Sequence, residues 1–522
     1  MRGISVLPPE IWVLVFKQFA DLAHNDSEAL KAVSDWKGHY QDDGVFFNRN
    51  DLVNLALTCW SFNKIVTPLL YHSFAHGWKL KPDGRNAASL FPNSLQLLVT
   101  LLKKPELMHY IKRIYWHEDQ PTFPDEFEPR SPPAATLELL WDGEGRRKVR
   151  TIIEARQIQP GPKELLERIL ETDALAEFES DIPHNSPIFQ LEAILGLLPD
   201  VNLLACYDPV RMHSEMEGVM DETSFSDHTL CGVRSLSLSA STLRFLEDGV
   251  KVLFAKTTIN FLRMFGGLER LRLVFDRCWL THAMGNVDSY PSNSMNESLQ
   301  ELHLDTACPF VVDPLIEHCI RLRKISIRMN RVHDVAASDG AVEAVSDESG
   351  DDEPDDRTFQ ICRYKWHTII DALSRNVNLH GSLEELALDA PRYGDGVVRL
   401  QSWAKAILQL RNFRSLRSLT LHEGVLWDTV RGGQVVQQAH PFADFLPRSL
   451  ERLHITSFGT VAGKLLDDFL QNLDAFPTLR FVEITRYSDI PDEDEIIKRI
   501  VVLRASFADR GIDLVEHVHS VG

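Results

Sequence analysis

Apolar residues recur along most of the chain in a six-residue pattern, apolar-x-x-apolar-x-apolar, whose last two apolar positions lie two residues apart. A spacing of two places side chains on one face of a β-strand. The pattern therefore predicts ten short strands. Its copies, of which the first two are weaker, begin at Ile111, Val201, Val233, Leu268, Leu299, Leu322, Leu383, Leu416, Leu450 and Leu479.

The segments between these strands carry apolar residues at helical spacing, as in residues 191–198. A short strand and a helix of this kind bury their apolar faces by stacking on neighbouring copies. From Val201 onward the copies begin 23 to 35 residues apart, except for a step of 61 between Leu322 and Leu383, which fits two periods or one period with an insertion. We therefore expect an α/β solenoid over residues 90–520, with parallel strands on the concave side and helices on the convex side.

Two segments interrupt the repeats. Residues 117–163 contain seven prolines and many charges, which is typical of a surface loop. Residues 331–357 contain ten acidic residues and two arginines, and such a like-charge block predicts a disordered insertion. An alternative interpretation makes Ser346 and Ser349, each followed by acidic residues, substrates of an acid-directed kinase.

Three further helices are predicted in a unit that covers residues 1–75. Proline is tolerated in the first turn of a helix, so the first helix begins near Pro8; the others cover residues 51–60 and 61–71, and a charged insertion at residues 24–49 precedes them. Apolar residues surround these helices more completely than one core face requires. A small helical unit that stays apolar on its outer side usually needs a partner.

The composition is that of a globular protein. Of 522 residues, 44% are hydrophobic and 25% charged, which is enough for a continuous core. No apolar run approaches the ~20 residues of a membrane-spanning helix, so we expect a soluble chain of the cytoplasm, the nucleus or both, without a membrane partner. The net charge of −20 argues against a nucleic-acid partner.

The candidate chemistry is sparse. Seven scattered cysteines contain no C-x-x-C pair, which predicts buried thiols in a reducing compartment. Residues 459–465 resemble a phosphate-binding loop but are one residue short and lack the hydroxyl after the lysine. His303, His422 and His454 lie on predicted strands, where we interpret them as polar surface residues; a metal or acid–base role is the alternative. We predict no catalytic residue, no cofactor and no metal, and hence not an enzyme.

Residues that alternate with the strand leucines should form columns on the concave face, because parallel strands stack in register. One column contains Arg270, Glu301, Lys324 and Glu385, whose alternating charges can pair as a ladder. The functional alternative is a protein-binding face with Phe481 as an aromatic anchor. The candidate partner-binding residues are Arg270, Arg272, Arg328, His422, Arg452, His454 and Phe481.

The beginning of the chain contains a series of short motifs. They are Leu7-Pro8-x-Glu10-Ile11 with Leu14, Val15 and Phe16, then residues 51–59, Phe62-Asn63 and Pro68-Leu69-Leu70-Tyr71. In this order they resemble the F-box motif in the form common in fungal F-box proteins. Residues 95–107 and 110–114 are similar to the helix and strand that follow the F-box in such proteins.

The ten strand patterns resemble leucine-rich repeats. Those repeats usually have a period of ~20–29 residues and an Asn or Cys three positions after the last apolar residue. Only Asn330 occupies that position here, so we expect an irregular arc.

The F-box resemblance implies a function. It implies that the chain docks on a Skp-type adaptor, and through it on a cullin, as the substrate-recognition subunit of a ubiquitin ligase that binds an unknown target protein on its concave face. One alternative is that the N-terminal residues are only the core of a helical cap; another is an F-box scaffold that does not direct ubiquitination. The implied adaptor-binding residues are Leu7, Pro8, Ile11, Leu14, Val15, Leu52 and Leu55.

Overall fold

The computed structural model describes a large part of the repeats and the end of the N-terminal unit. The described residues are 11–12, 49–76, 93–117, 147, 150–151, 153–155, 191, 194–207, 232–240, 262, 265–275, 295–305, 316–328, 372–389, 408–423, 442–487 and 493–519. Leu7, Pro8, Leu14, Val15 and the acidic insertion 331–357 lie outside them, as do residues 24–48 and most of 117–163. Within the described ranges, no helix is long and apolar enough to cross a membrane.

The chain divides into two compact units. The first contains Met1–Ala240 and Lys256–Val274, and the second contains Ser241–Ala255 and Phe275–Gly522.

In the described part of the first unit, two complete helices are followed by five strands in sequence order. Ile114 shows the parallel stacking, since it lies beside Phe74 of the preceding strand and Leu204 of the following one. The helices given with both ends among the described residues are α1 (Arg49–Thr58), α2 (Trp60–Leu70) and α3 (Asn93–Lys103), with a 3-10 helix at Pro105–His109. The strands are β1 (Ser73–His76), β2 (Arg113–His117), β3 (Leu203–Tyr207), β4 (Ser235–Ala240) and β5 (Arg270–Phe275, whose last residue belongs to the second unit).

The second unit contains seven parallel strands, also in sequence order. They are β6 (Glu301–Asp305), β7 (Lys324–Arg328), β8 (Glu385–Asp389), β9 (Ser418–His422), β10 (Arg452–Thr456), β11 (Phe481–Tyr487) and β12 (Asp513–His519). The helices given with both ends among its described residues are α4 (Met295–Ser298), α5 (Leu379–Ser382), α6 (Thr460–Gln471) and α7 (Glu493–Ala508), with 3-10 helices at Leu408–Asn412, Phe442–Phe445 and Leu473–Ala475.

All ten predicted strands are confirmed, and their apolar positions are buried. In β10, Leu453 and Ile455 are fully buried, while the side chain of His454 lies on the opposite face and is half-buried. Leu453 lies beside Leu419 of β9 and Val482 of β11. Burying one such side chain contributes ~1.5–3 kcal/mol, so the repeated apolar triplets supply a large part of the core.

The long step in the repeat spacing is one period with an insertion. Ile325 of β7 pairs directly with Leu386 of β8. No strand lies between β7 and β8 in the sheet. The structure thereby decides between the two alternatives that the spacing left open.

Two strands, β1 and β12, were not predicted, because neither has the full apolar pattern. At the position of the third apolar residue of the pattern, β1 carries His76, which lies beside Trp116 of β2. At the same position β12 carries Glu516, which lies beside Ile484 of β11. Glu516 is accommodated because Arg486 Nε lies 2.7 Å from its carboxylate. A prediction from apolar periodicity cannot register an ion pair in place of a leucine.

Helices α6 and α7 pack side by side in the second unit. The Arg499 guanidinium of α7 pairs with the Asp467 carboxylate of α6. A Cβ at Gly463 would collide with the Arg499 side chain, so a glycine in α6 allows this close approach. The pair marks the side of α7 that faces its neighbour.

The cysteine prediction is confirmed at two described positions and wrong at a third. Cys206 and Cys319 are buried. Burial raises the pKa of both thiols, that of Cys319 to about 12, so they remain protonated and unreactive. Cys59 is exposed, because it lies at the junction of α1 and α2, outside their small core.

Candidate protein-binding surfaces

Helices α1 and α2 share a small apolar core. Phe62 and Val66 of α2 are buried, and Leu55 of α1 packs against them. The ring of Trp12 lies 5.2 Å from that of Phe62. Trp12 and the preceding Ile11 are both helical, as the predicted first helix requires, and the remainder of that helix lies outside the described residues.

A second set of apolar residues on these helices is exposed. Val53 and Leu57 lie one turn apart on α1, and Trp60 begins α2 after the extended Cys59. Leu57 and Trp60 are 77% and 70% exposed. The ammonium of Lys64 lies 3.6 Å from the Trp60 ring centroid, a cation–π contact that holds the ring at the surface. We call Val53 and Leu57 of α1, together with Trp60 at the start of α2, the α1 apolar face. Exposed apolar patches of this kind mark protein contacts.

Three of the seven predicted adaptor-binding residues lie within the described ranges. Ile11 is exposed, Leu55 contributes to the core, and Leu52 lies in α1. Leu7, Pro8, Leu14 and Val15 lie outside the described ranges. The sequence predicted an apolar outer side on these helices but did not single out Val53, Leu57 or Trp60, because exposed and buried sides look alike in a helix that is apolar on several sides.

In the first unit, the predicted partner-binding arginines lie on β5. Arg270 Nε donates to Ser235 Oγ of β4 at 2.7 Å, and Arg272, two residues further along the strand, is half-buried. Arg270 is thus oriented by the neighbouring strand.

The second unit presents a polar face whose residues alternate with the buried apolar positions. Parallel register arranges them in three rows. The first row is Glu301, Lys324, Glu385, Ser418, Arg452, Phe481 and Asp513; the second is His303, Ser326, Ala387, Thr420, His454, Glu483 and Val515; the third is Asp305, Arg328, Asp389, His422, Thr456, Thr485 and His517.

Charged groups on this polar face pair across neighbouring strands. Lys324 Nζ lies 3.0 Å from Glu385 Oε1, and this hydrogen bond raises the pKa of Lys324. Arg452 Nε lies 3.2 Å from Glu483 Oε1. The predicted ladder of ion pairs is therefore confirmed at Lys324 and Glu385.

A second group of contacts crosses β9. Asp389 Oδ2 lies 3.8 Å from Arg328 Nε, and Asp389 Oδ1 accepts a 2.7 Å hydrogen bond from Thr456 Oγ1, two strands away. His422 lies on the strand between them. Burial lowers the pKa of His422, and the Asp389 charge offsets part of that effect, so the net effect favours the neutral imidazole.

The remaining predicted residues lie together on β10 and β11. His454 Nε2 lies 2.8 Å from Thr485 Oγ1, and burial lowers the pKa of His454. The Phe481 side chain is exposed, and the guanidinium carbon of Arg452 lies 5.6 Å from its ring centroid. Arg452 and Phe481 form one composite surface, which suits protein recognition because Arg and aromatic residues dominate binding energies at interfaces.

Residues 459–465, the phosphate-loop look-alike, begin helix α6. Ala462 N donates to Glu423 Oε1 at 2.8 Å, and a Cβ at Gly459 would lie 2.7 Å from the Glu423 carboxylate. The helix N-terminus therefore holds a carboxylate of the chain itself. Among the described residues, no group of His, Cys, Asp and Glu is arranged to hold a metal ion.

No protein-family model matches the sequence, and no curated protein matches it significantly. Interpretation of the function thus depends on the surfaces of this chain.

Proposed function

We propose that the chain is a substrate-recognition subunit of a Skp–cullin–F-box ubiquitin ligase. In this proposal the N-terminal helices dock on a Skp-type adaptor, which brings the cullin, and the polar face of the leucine-rich-repeat-like strands binds a target protein. The chain performs no chemistry. It holds the target at high effective concentration beside the ubiquitin-loaded conjugating enzyme.

The observation that carries this proposal is the α1 apolar face. Leu57 and Trp60 stay exposed although Phe62 and Val66, close by in α2, are buried in the core. Folding does not need these exposed side chains, whereas a partner gains ~25 cal/mol for each Å² of apolar surface that it covers. Because these residues lie among the F-box-like motifs, a Skp-type adaptor is the partner that we propose covers them.

The surface around Phe481 supports the second part of the proposal. Phe481 and Arg452 combine an exposed ring with a charged group, and neighbouring side chains are already fixed by their own hydrogen bonds, as His454 is by Thr485. Preorganised side chains lose little conformational entropy when a target binds.

Co-purification of the full chain with a Skp-type adaptor and a cullin tests the proposal. We expect the unaltered chain to bind both, and Leu57→Ala combined with Trp60→Ala to weaken adaptor binding at least tenfold. A control variant with Val377→Ala and Val502→Ala removes equally exposed apolar side chains from the second unit and should bind as the unaltered chain does.

A second variant, with Leu7→Ala, Pro8→Ala and Ile11→Glu, probes the motif at the beginning of the chain and should also lose the adaptor. The proposal is wrong if the unaltered chain does not bind the adaptor. Adaptor binding without a cullin would favour the scaffold alternative, in which ubiquitination is not directed.

A further inference from the structure

Strand β12 is the last strand of the sheet among the described residues of the second unit, and one of its edges has no strand beside it there. Asp513 N donates to Arg480 O at 2.9 Å, and β12 pairs with β11 in register from Asp513 to His519. Because consecutive residues of a strand direct their N–H and C=O groups to opposite edges, those of Leu514, Glu516 and Val518 point away from β11. No strand of the described residues pairs with them.

This edge lacks several of the devices that usually prevent strand pairing, and the inward-pointing charge that it does carry, Glu516, is paired with arginines. Monomeric proteins protect an edge strand with lysine, proline or a bulge, and β12 contains neither residue and pairs without interruption. The Glu516 carboxylate is engaged within the unit, by Arg486 at 2.7 Å and by Arg504 at 3.2 Å. The exposed side chains of β12 include Val515 and Val518.

Helix α7 adds an apolar flank on the same side. Arg499 faces α6 through its pair with Asp467, whereas Ile497 and Val501 lie one turn apart on the opposite flank and are exposed. Arg504 belongs to the same flank and pairs with Glu516 of β12, so the flank lies beside the open edge. No helix of the described residues covers this flank.

We propose that the open edge of β12 and the Ile497–Val501 flank of α7 bind a second copy of this chain. The two β12 strands pair antiparallel about a twofold axis perpendicular to the sheet, which extends the sheet from one protomer into its partner. Such an interface uses the same surface on both copies.

The sequence of β12 is complementary to itself in this arrangement. With the twofold axis at Val515, that side chain meets its own copy, and Asp513 stands opposite His517 on both sides of the axis. An apolar pair flanked by two acid–imidazole pairs favours self-pairing. In this register Leu514 stands opposite Glu516 of the second copy, so the outward N–H of each meets the outward C=O of the other. Val518 stands opposite Ile512, whose C=O points outward because the Asp513 N–H points to β11.

Light scattering coupled to size-exclusion chromatography of the full chain tests this proposal. We expect a species of twice the 59.4 kDa monomer mass. Val518→Pro should convert it to a monomer, because proline removes an N–H that points outward and leaves the hydrogen bonds to β11 intact. Unchanged circular dichroism and thermal unfolding would show that the variant folds.

Two neighbouring valines of α7 provide a matched pair of variants. Val501 and Val502 are 58% and 62% exposed, but one residue turns the side chain by ~100° around the helix, so only Val501 belongs to the flank of the interface. Val501→Lys should raise the dissociation constant of the dimer at least tenfold, and Val502→Lys should leave it unchanged.

Three results would overturn the proposal. One is a monomer at every concentration of the unaltered chain. Another is a monomer whose Leu514, Glu516 and Val518 amides are protected from hydrogen exchange, because another segment of the same chain would then cover the edge. The third is a dimer that survives both Val518→Pro and Val501→Lys.

Discussion

The α1 apolar face and the polar face of the second unit differ in how their side chains are satisfied. In the α1 apolar face, Leu57 and Trp60 are exposed, so a partner that covers them gains the hydrophobic free energy in full. On the polar face, Lys324 and Arg452 already pair with carboxylates of neighbouring strands, and a partner must replace those pairs. The first surface therefore suits a strong, constant contact, and the second suits selection between partners, where charge complementarity decides specificity more than affinity.

The largest expected effect is the loss of stability when a buried side chain is truncated, compared with the same change at an exposed one. Leu453→Ala removes a fully buried side chain and should lower the free energy of unfolding by ~2–5 kcal/mol. Leu57→Ala, at the 77% exposed position, should change it by less than ~0.5 kcal/mol. Urea unfolding followed by circular dichroism measures both. Equal losses in the two variants would show that the α1 apolar face is part of the core.

The second prediction concerns histidines on the polar face. Burial lowers the pKa of His422 and His454, so below about pH 6.5, the usual histidine pKa, the unfolded chain binds more protons than the folded one. Stability should fall as the pH decreases through this window. His422→Gln with His454→Gln should reduce the slope in pH-dependent urea titrations, and His303→Gln serves as the control. An unchanged slope in the double variant would contradict the prediction.

The smallest expected effect tests the paired charges. Lys324→Met removes the ion pair with Glu385, in which both side chains are 40% exposed or more. Exposed pairs contribute ~0–1 kcal/mol and are screened by salt. Thermal unfolding should shift only slightly, and less in high salt than in low salt. A loss as large as that of Leu453→Ala would mean that the polar face stabilises the fold and is not available for recognition.

Local pattern predicted the strands well because each needs only three apolar residues at fixed spacing, as in Leu450, Leu453 and Ile455, all fully buried. It failed at β12, where Glu516 takes an apolar position and is satisfied by Arg486 from the neighbouring strand. The site prediction was uneven in the same way. Phe481 was selected by its type in a polar column, whereas the exposure of Leu57 could not be distinguished from burial in a helix that is apolar on several sides.

The sequence by itself determined the α/β class, the positions of ten strands and the rows in which their side chains align. These follow from spacing along the chain, because a strand of period two and a stack of parallel strands leave little freedom in side-chain placement. Tertiary structure alone decided that β7 and β8 are neighbours and that Asp389 reaches Thr456 across a strand. It also decided that α1 retains an exposed apolar face. Those features depend on contacts between residues far apart in the chain, and the free energies of such contacts are set by burial and partners that a linear pattern does not contain.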